Sequence, residues 1–185
     1  MELKQYTDAD RQKSQSTTYD YDKQGRLAQV TDPSGASWNY TYDFRGRKIR
    51  VEDPDKGGVD TTYDRSGRVT DVKDARGTTL HTDYDILGRR TALSKGATKL
   101  AEWTYDTAAD GKGQPASATR YVDGAAYVSR TTAYNALYKP SLSEITIPAS
   151  EGALSGTYKW VTAYYHTGQI KWSRLPAPAG SLKRT

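Results

Sequence analysis

Apolar and polar residues alternate with a period of two along most of this chain. In residues 37–42 the aromatic side chains take every second position, and in residues 48–52 Lys, Arg and Glu alternate with Ile and Val. Successive side chains of a β-strand point to opposite faces, so this pattern predicts short, half-buried strands with one solvated face.

A second period, of 21 residues, organises these strands. It is marked by the pairs Tyr21-Asp22, Tyr42-Asp43, Tyr63-Asp64, Tyr84-Asp85 and Tyr105-Asp106. After the first four pairs, Gly and Arg follow at a constant offset, as Gly25-Arg26, Gly46-Arg47, Gly67-Arg68 and Gly88-Arg89. A constant period indicates a small folding unit copied along the chain, with each copy stabilised by its neighbours.

Each 21-residue unit carries two turn signals. One is the Asp-x-x-Gly of the motif, and the other follows about ten residues later, as in Asp32-Pro33-Ser34-Gly35. The turns leave two strands of about six or seven residues in each unit. The sequence therefore predicts an all-β fold of tandem antiparallel β-hairpins that form an extended, curved or spiralling sheet.

The regularity of the period divides the chain into four predicted segments. Residues 1–18 read as a lead-in strand or partial repeat, and residues 19–106 as regular repeats. Residues 107–175 read as longer, degenerate repeats, and residues 176–185 as a Pro-rich basic tail. The beginning and the end both lack recognisable caps, so we expect exposed sheet edges that can self-associate.

Composition and charge narrow the function classes. Leu, Ile, Val and Phe supply only 25 of 185 residues, whereas 15 Tyr and 4 Trp provide large amphipathic side chains, which suits a thin sheet. Residues 1–106 hold 18 acidic and 18 basic residues, so the net charge of +5 comes from the remainder. A neutral repeat region argues against nucleic-acid binding. The sequence has no Cys and no apolar run long enough to span a membrane.

The motif and its spacing resemble the Rhs/YD-repeat family, which includes shells of bacterial polymorphic toxins and teneurin-like proteins. The segment 21–27, Tyr-Asp-Lys-Gln-Gly-Arg-Leu, shows the full motif. A degenerate copy begins at Tyr134-Asn135 with Tyr138 in place of Gly, and another at Tyr165-His166 is one residue short. The resemblance covers most of residues 19–172.

The resemblance implies a spiralling β-sheet that closes into a hollow shell. In bacterial members the shell encloses a toxic C-terminal polypeptide, and in animal members a related barrel carries adhesion loops. It also implies a secreted or cell-surface location. The expected partners are other parts of the same parent chain, namely the remaining repeats and the enclosed polypeptide.

Candidate sites compete with simpler structural roles. The acidic residues between Asp53 and Asp64 have a spacing faintly similar to a calcium loop, but Pro54 and Gly57 interrupt it, which favours a lengthened turn. His81 and His166 lie far apart, and no nucleophile motif accompanies them. We therefore predict no catalytic residue, metal site or cofactor.

Aromatic residues of the irregular repeats supply an alternative function. Trp38 and Trp103 are in phase with the motif tyrosines, which favours core packing. Trp160 and Trp172 are less constrained and are the candidate ligand surface, for a glycan or a cell-surface receptor. The preferred interpretation is a non-enzymatic segment of a shell that encapsulates or presents a C-terminal toxin polypeptide.

Overall fold

The computed structural model describes residues 1–6, 14–176 and 182–184. Within these ranges the chain forms sixteen β-strands and one short 3₁₀ helix, so the predicted all-β fold of antiparallel hairpins is confirmed. Two compact units are present, residues 1–81 and 82–185, and the division falls within the eighth strand.

In the first unit, consecutive strands pair with one another in antiparallel orientation. The strands are β1 (Glu2–Tyr6), β2 (Ser14–Tyr21), β3 (Leu27–Thr31), β4 (Ser37–Tyr42), β5 (Lys48–Asp53), β6 (Gly57–Tyr63), β7 (Val69–Lys73) and β8 (Thr79–Tyr84). Each 21-residue repeat thus supplies two strands, as the two turn signals predicted.

In the second unit consecutive strands also pair in antiparallel orientation, and most of them are longer. Its strands are β9 (Arg90–Lys95), β10 (Thr98–Tyr105), β11 (Pro115–Val122), β12 (Ala125–Tyr134), β13 (Pro140–Ile147), β14 (Gly156–Tyr164), β15 (Ile170–Pro176) and β16 (Leu182–Arg184). The 3₁₀ helix Ala149–Leu154 joins β13 to β14.

The strand register places the predicted apolar positions opposite one another. Tyr40 pairs with Val51, and Val51 pairs with Val59 on the next strand. Further along, Thr61 pairs with Val72. Cross-strand neighbours of this kind share a face of the sheet, and aromatic–aliphatic pairs among them contribute about 0.2–1 kcal/mol each.

A β-bulge precedes the motif turns and modifies the predicted alternation. In the second repeat the register shifts between Thr41 and Tyr42. Lys48 was predicted on the solvated face, but its ammonium lies 4.3 Å from the centroid of the Tyr40 ring. A bulge adds one residue to one strand and redirects the neighbouring side chains, which accounts for the difference.

Deep burial is rare in this thin sheet. Most strand residues are half-buried, and among the described residues the buried ones are Gly111, Ala116, Thr119 and Tyr134. All four belong to the second unit, near the expanded turn after β10. No helix in residues 1–6, 14–176 and 182–184 is long and apolar enough to cross a membrane.

The four predicted segments stay predictions, because the division into two compact units reflects contact density and not repeat regularity. Residues 7–13 of the predicted lead-in, and residues 177–181 and 185 of the predicted tail, lie outside the described residues.

Candidate functional site

The motif turn is built around one carboxylate. In the second repeat, Oδ1 of Asp43 accepts the backbone N–H groups of Arg45 and Arg47, each at 2.9 Å. The N–H of Gly46 donates to the backbone oxygen of Asp43 at 3.0 Å. Gly46 has φ +79°, a left-handed conformation that residues with a Cβ rarely adopt. Asp and Gly therefore fix the turn together.

The other motif turns repeat this geometry. The carboxylates of Asp22, Asp64 and Asp85 each accept the N–H of the Arg four residues later at 2.9 Å. The glycines Gly25, Gly67 and Gly88 occupy the same left-handed position as Gly46. The turns at Asp32 and Asp74 are also similar, but Ala36 and Thr78 replace the Arg. The Arg is thus what distinguishes a motif turn from the turn at the other end of the hairpin.

The Arg of one repeat reaches the next repeat. Nε of Arg47 donates to Oδ2 of Asp43 at 2.7 Å, and Nη1 donates to the backbone oxygen of Asp64 at 3.2 Å. The guanidinium also lies over the ring of Tyr63, 4.5 Å from its centroid. The Tyr63 hydroxyl returns a bond of 2.8 Å to the backbone oxygen of Lys48. We call this set of contacts the Arg clasp.

The first repeat forms the same clasp. Arg26 donates to Asp22 at 2.6 Å and to the backbone oxygen of Asp43 at 3.0 Å, and it lies 4.7 Å from the centroid of the Tyr42 ring. The Tyr42 hydroxyl donates to the backbone oxygen of Leu27 at 2.9 Å. The sequence did not predict that the Arg of one repeat covers the Tyr of the following repeat. The constant Arg-to-Tyr spacing was the available signal.

In the fourth repeat the Arg of the clasp pairs with two carboxylates. Arg89 pairs with Asp85 and with Asp106, at 2.6 Å in each case, and lies 4.2 Å from the centroid of the Tyr105 ring. The Tyr105 hydroxyl donates to the backbone oxygen of Arg90 at 3.0 Å. In the third repeat, Arg68 donates to Asp64 at 2.6 Å.

These contacts shift the ionisation of the motif carboxylates. The backbone N–H of Arg68 is the main group holding the pKa of Asp64 below its ordinary value, with the Arg68 side chain in support and partial burial opposing them. The Arg89 side chain lowers the pKa of Asp106, and Asp106 and Asp85 together raise the pKa of Arg89. Both partners of the clasp are therefore charged at neutral pH.

The sixth copy keeps the turn with different side chains. Oδ1 of Asn135 accepts the N–H groups of Leu137 and Lys139 at 2.9 and 3.0 Å, so an amide oxygen replaces the carboxylate. Tyr138 occupies the glycine position with φ +55°. The Lys139 ammonium lies 5.9 Å from the centroid of the Tyr164 ring, a longer version of the Arg contact.

The seventh copy begins one residue earlier than the sequence predicted, at Tyr164 and not at Tyr165. The Tyr164 hydroxyl donates to the backbone oxygen of Pro140 at 3.0 Å, as the motif tyrosines do. Tyr165 takes the place of Asp, since its N–H donates to the Gln169 oxygen and its own oxygen accepts from Gly168, each at 2.8 Å. The copy therefore begins at Tyr164 and has full length.

The fifth turn is expanded, and its loop packs on β12. Ala109 donates its N–H to the Thr132 oxygen and accepts the N–H of Tyr134, each at 2.9 Å. The Tyr134 hydroxyl donates to the Pro115 oxygen at 2.6 Å. A Cβ added to Gly111 would lie 2.7 Å from the Tyr134 ring, so the loop and the ring are in close contact.

The acidic residues of the lengthened turn contact different partners. Oδ1 of Asp53 accepts the N–H groups of Asp55 and Lys56, and Oδ2 accepts the Trp38 indole N–H at 3.2 Å. Asp60 pairs with Arg50 at 2.7 Å. In the described ranges, no group of three or more His, Cys, Asp or Glu side chains is arranged to hold a metal ion.

The two candidate ligand-binding tryptophans lie on opposite faces. Trp172 pairs with Ala163, whereas Trp160 stands three residues before Ala163 on β14 and therefore takes the other face. Trp172 is 42% exposed and Trp160 is half-buried. The two indoles do not form one continuous surface.

The two histidines have different surroundings. Nδ1 of His81 lies 2.7 Å from the Asp71 carboxylate, which also accepts the Thr62 hydroxyl at 2.8 Å. This forms a cross-strand polar row. His166 lies in the turn of the seventh copy.

Comparison with protein families identifies the repeat. The Teneurin YD-shell model matches residues 3–109, which is more than half of the chain. The chain belongs to the Teneurin YD-shell family. The resemblance of the Tyr-Asp motif to YD repeats is thereby confirmed. A search of curated proteins found no match.

Solved structures share the YD-shell fold at low sequence identity. The crystal structure of TcdB2-TccC3 without its hypervariable C-terminal region has a TM-score of 0.62 and 16% identity over 93% of this chain. The Photorhabdus luminescens Tc holotoxin pore has a TM-score of 0.60 and 17% identity over 98% of this chain. In each case the match spans only 11% of the other chain. At this level of identity the likeness shows a shared fold.

Proposed function

We propose that this chain is a non-catalytic wall segment of a YD-repeat shell, and that the shell encapsulates or presents a C-terminal polypeptide of the parent protein. The Arg clasp carries the proposal. In the clasp formed by Arg47, the guanidinium bonds to Asp43 of its own turn and reaches the Asp64 backbone oxygen and the Tyr63 ring of the next repeat. Such contacts suit a wall whose stability comes from neighbouring copies.

Family membership and fold also support this proposal. Residues 19–106 are the regular part of the wall, and residues 107–175 are an expanded part with longer strands. The partners are the remaining repeats of the parent chain and the enclosed polypeptide. Membership of the family supports a secreted or cell-surface location.

Glycan or receptor binding through Trp160 and Trp172 remains the alternative prediction. No contact of Trp160 or Trp172 favours it, because the two side chains lie on opposite faces of the sheet. The aromatic residues in the clasps, by contrast, serve contacts between repeats.

Limited proteolysis of the parent protein tests encapsulation. The C-terminal polypeptide should resist protease in the wild-type parent and become cleavable in a double Arg26→Gln, Arg47→Gln variant. Arg76→Gln is the matched control, because among the described residues Arg76 pairs only within its own turn and its side chain is 87% exposed. Cleavage of the polypeptide in the wild-type parent at the rate measured for the isolated polypeptide would exclude encapsulation.

A further inference from the structure

Two turns of the second unit form an exposed, largely apolar patch. They join β12 to β13 and β14 to β15, so they lie at the same edge of the sheet, two strands apart. Four large side chains in or beside these turns are 47–62% exposed. A Cβ added to Gly168 would lie 3.9 Å from Cδ1 of Leu137, so the two turns are in contact. Together with two lysines, the four side chains form what we call the turn patch, which consists of Leu137, Tyr138, Lys139, Tyr165, Ile170 and Lys171.

Tyr138 occupies its position at a cost to the fold. It stands where the first four copies of the motif have Gly, and its φ of +55° is a left-handed conformation that side chains disfavour. Little burial compensates for this strain, because more than half of the residue's surface stays exposed. Strain at an exposed position points to a contact that lies beyond the folded chain.

The turn patch lacks the carboxylates of the regular repeats. Asn135 replaces the motif Asp in the sixth copy, and Tyr165 replaces it in the seventh. Residues 134–140 and 164–172 contain two lysines and no Asp or Glu. The neighbouring expanded turn contains Asp106 and Asp110, but Asp106 pairs with Arg89, and a lysine follows Asp110 two residues later. The edge therefore carries an excess of positive charge and is complementary to an anionic surface.

Four backbone N–H groups of the sixth turn are bonded within the turn itself. The Asn135 amide oxygen accepts the N–H groups of Leu137 and Lys139, at 2.9 and 3.0 Å. The N–H of Tyr138 donates to the Asn135 backbone oxygen, and the N–H of Asn135 donates to the Lys139 oxygen. Unpaired backbone groups are what make a turn costly to place in lipid. The tip of this turn can therefore leave water with these donors already bonded.

We propose that the turn patch docks on the surface of an anionic lipid bilayer. Leu137 and Ile170 supply hydrocarbon for the boundary between headgroups and acyl chains, and the amphipathic tyrosine rings suit the headgroup level. The two lysines add electrostatic attraction to anionic headgroups. The docking is peripheral, through turns at the edge of the sheet, and it does not depend on the proposed shell role.

A fluorescent label on the 185-residue chain tests the docking. The sequence has no Cys, so Ala136→Cys places a single thiol for an environment-sensitive dye at the tip of the sixth turn. Ala153→Cys is the matched control, because this exposed alanine lies in the 3₁₀ helix at the other end of β14, about 25 Å along the strand. Vesicles of phosphatidylcholine and phosphatidylserine in equal parts should shift the emission at position 136 to the blue and leave position 153 unchanged. Vesicles of phosphatidylcholine alone should bind about tenfold more weakly.

The two labelled positions also give the results that would overturn the proposal. Unchanged emission at position 136 would mean that the patch does not dock on the bilayer. Equal blue shifts at both positions would mean adsorption without orientation. A blue shift at position 136 that grows with protein concentration in the absence of vesicles would mean that a second copy of the chain covers the patch.

Variants of the apolar residues separate docking from folding. In vesicle co-sedimentation, Leu137→Ser should weaken binding about fivefold, whereas Leu154→Ser, at the opposite edge, should bind like the wild type. Tyr138→Gly should also weaken binding about fivefold, although it relieves strain in the turn, so it decides the question if Leu137→Ser does not fold. Wild-type binding by both Leu137→Ser and Tyr138→Gly would contradict the assignment.

Variants of the lysines test the recognition of charge. Lys139→Gln combined with Lys171→Gln should weaken co-sedimentation with the anionic vesicles about tenfold and reduce its salt dependence. Lys95→Gln is the matched control, because this exposed lysine ends β9 at the opposite edge of the sheet. Wild-type affinity of the double variant would mean that anionic headgroups are not recognised, and the proposal would be wrong.

Discussion

The regular repeats and the expanded repeats are stabilised by different kinds of contact. In the first, second and fourth repeats an Arg clasp links one hairpin to the next, in half-buried surroundings. Beyond Asp106 the clasp weakens, and a loop packed on β12 creates the most buried positions of the described chain. Regular repetition distributes stability over many equivalent contacts, whereas a break in the repeat concentrates it in one place.

The largest effect is expected from removing the buried tyrosine of the expanded region. Tyr134→Ala should lower the free energy of unfolding by about 3–5 kcal/mol, because a large buried side chain is lost together with its hydrogen bond to Pro115. Tyr42→Ala, in half-buried surroundings, should cost about 1–2 kcal/mol. Urea unfolding measures both. Equal losses would remove the contrast between the two regions.

A smaller effect should follow from crowding the packed loop. Gly111→Ala places a methyl group 2.7 Å from the Tyr134 ring and 2.9 Å from Ala108, so we expect a loss of about 1–3 kcal/mol in urea unfolding. Gly58→Ala is the control, because its Cβ meets only the mobile end of the Arg50 side chain. If both variants unfold at the wild-type urea concentration, the loop is not tightly packed.

Two opposite substitutions test the left-handed turn position, one that introduces glycine and one that removes it. Tyr138→Gly should stabilise the protein by up to about 1 kcal/mol, because it relieves a side chain held at φ +55°. Gly46→Ala should destabilise by about 1 kcal/mol, because it introduces the same strain at φ +79°. Thermal unfolding would show opposite shifts. Shifts of the same sign would mean that the left-handed turn position does not limit stability.

The motif carboxylates predict a difference in acid stability. In the folded state the pKa of Asp64 lies below its ordinary value of 3.8, so its ionic stabilisation is complete above that pH and is lost as the pH falls through the folded pKa. Asp64→Asn retains an acceptor oxygen, as Asn135 does in the sixth copy. The variant should be less stable at neutral pH, and the gap should close below pH 3.8. A gap that is constant across this range would contradict the assignment.

The hairpin architecture could be predicted from the sequence because local chemistry determines it. Asp-x-x-Gly turns and period-two strands need no distant partner, and the 21-residue spacing fixes the pairing of neighbours. The seventh copy was misassigned because two adjacent tyrosines, Tyr164 and Tyr165, both fit the pattern once Asp was absent.

The remaining features depend on contacts that a single repeat does not contain. Nothing in the local pattern shows that Ala109 will pair with β12, because the loop residues are small and aperiodic. The burial of Thr119 likewise appears only when β10, β11 and β12 assemble in register. The opposite facing of Trp160 and Trp172 required the register of β14 and β15.

The central claim is that the Arg clasp couples successive repeats, and a double-mutant cycle tests it directly. Arg47→Gln and Tyr63→Leu, alone and together, should show a coupling energy of about 0.5–1 kcal/mol in urea unfolding. The pair Arg76→Gln and Tyr63→Leu, which share no contact, should be additive. Additivity of the Arg47 and Tyr63 substitutions would contradict the claim, since each side chain would then stabilise only its own hairpin.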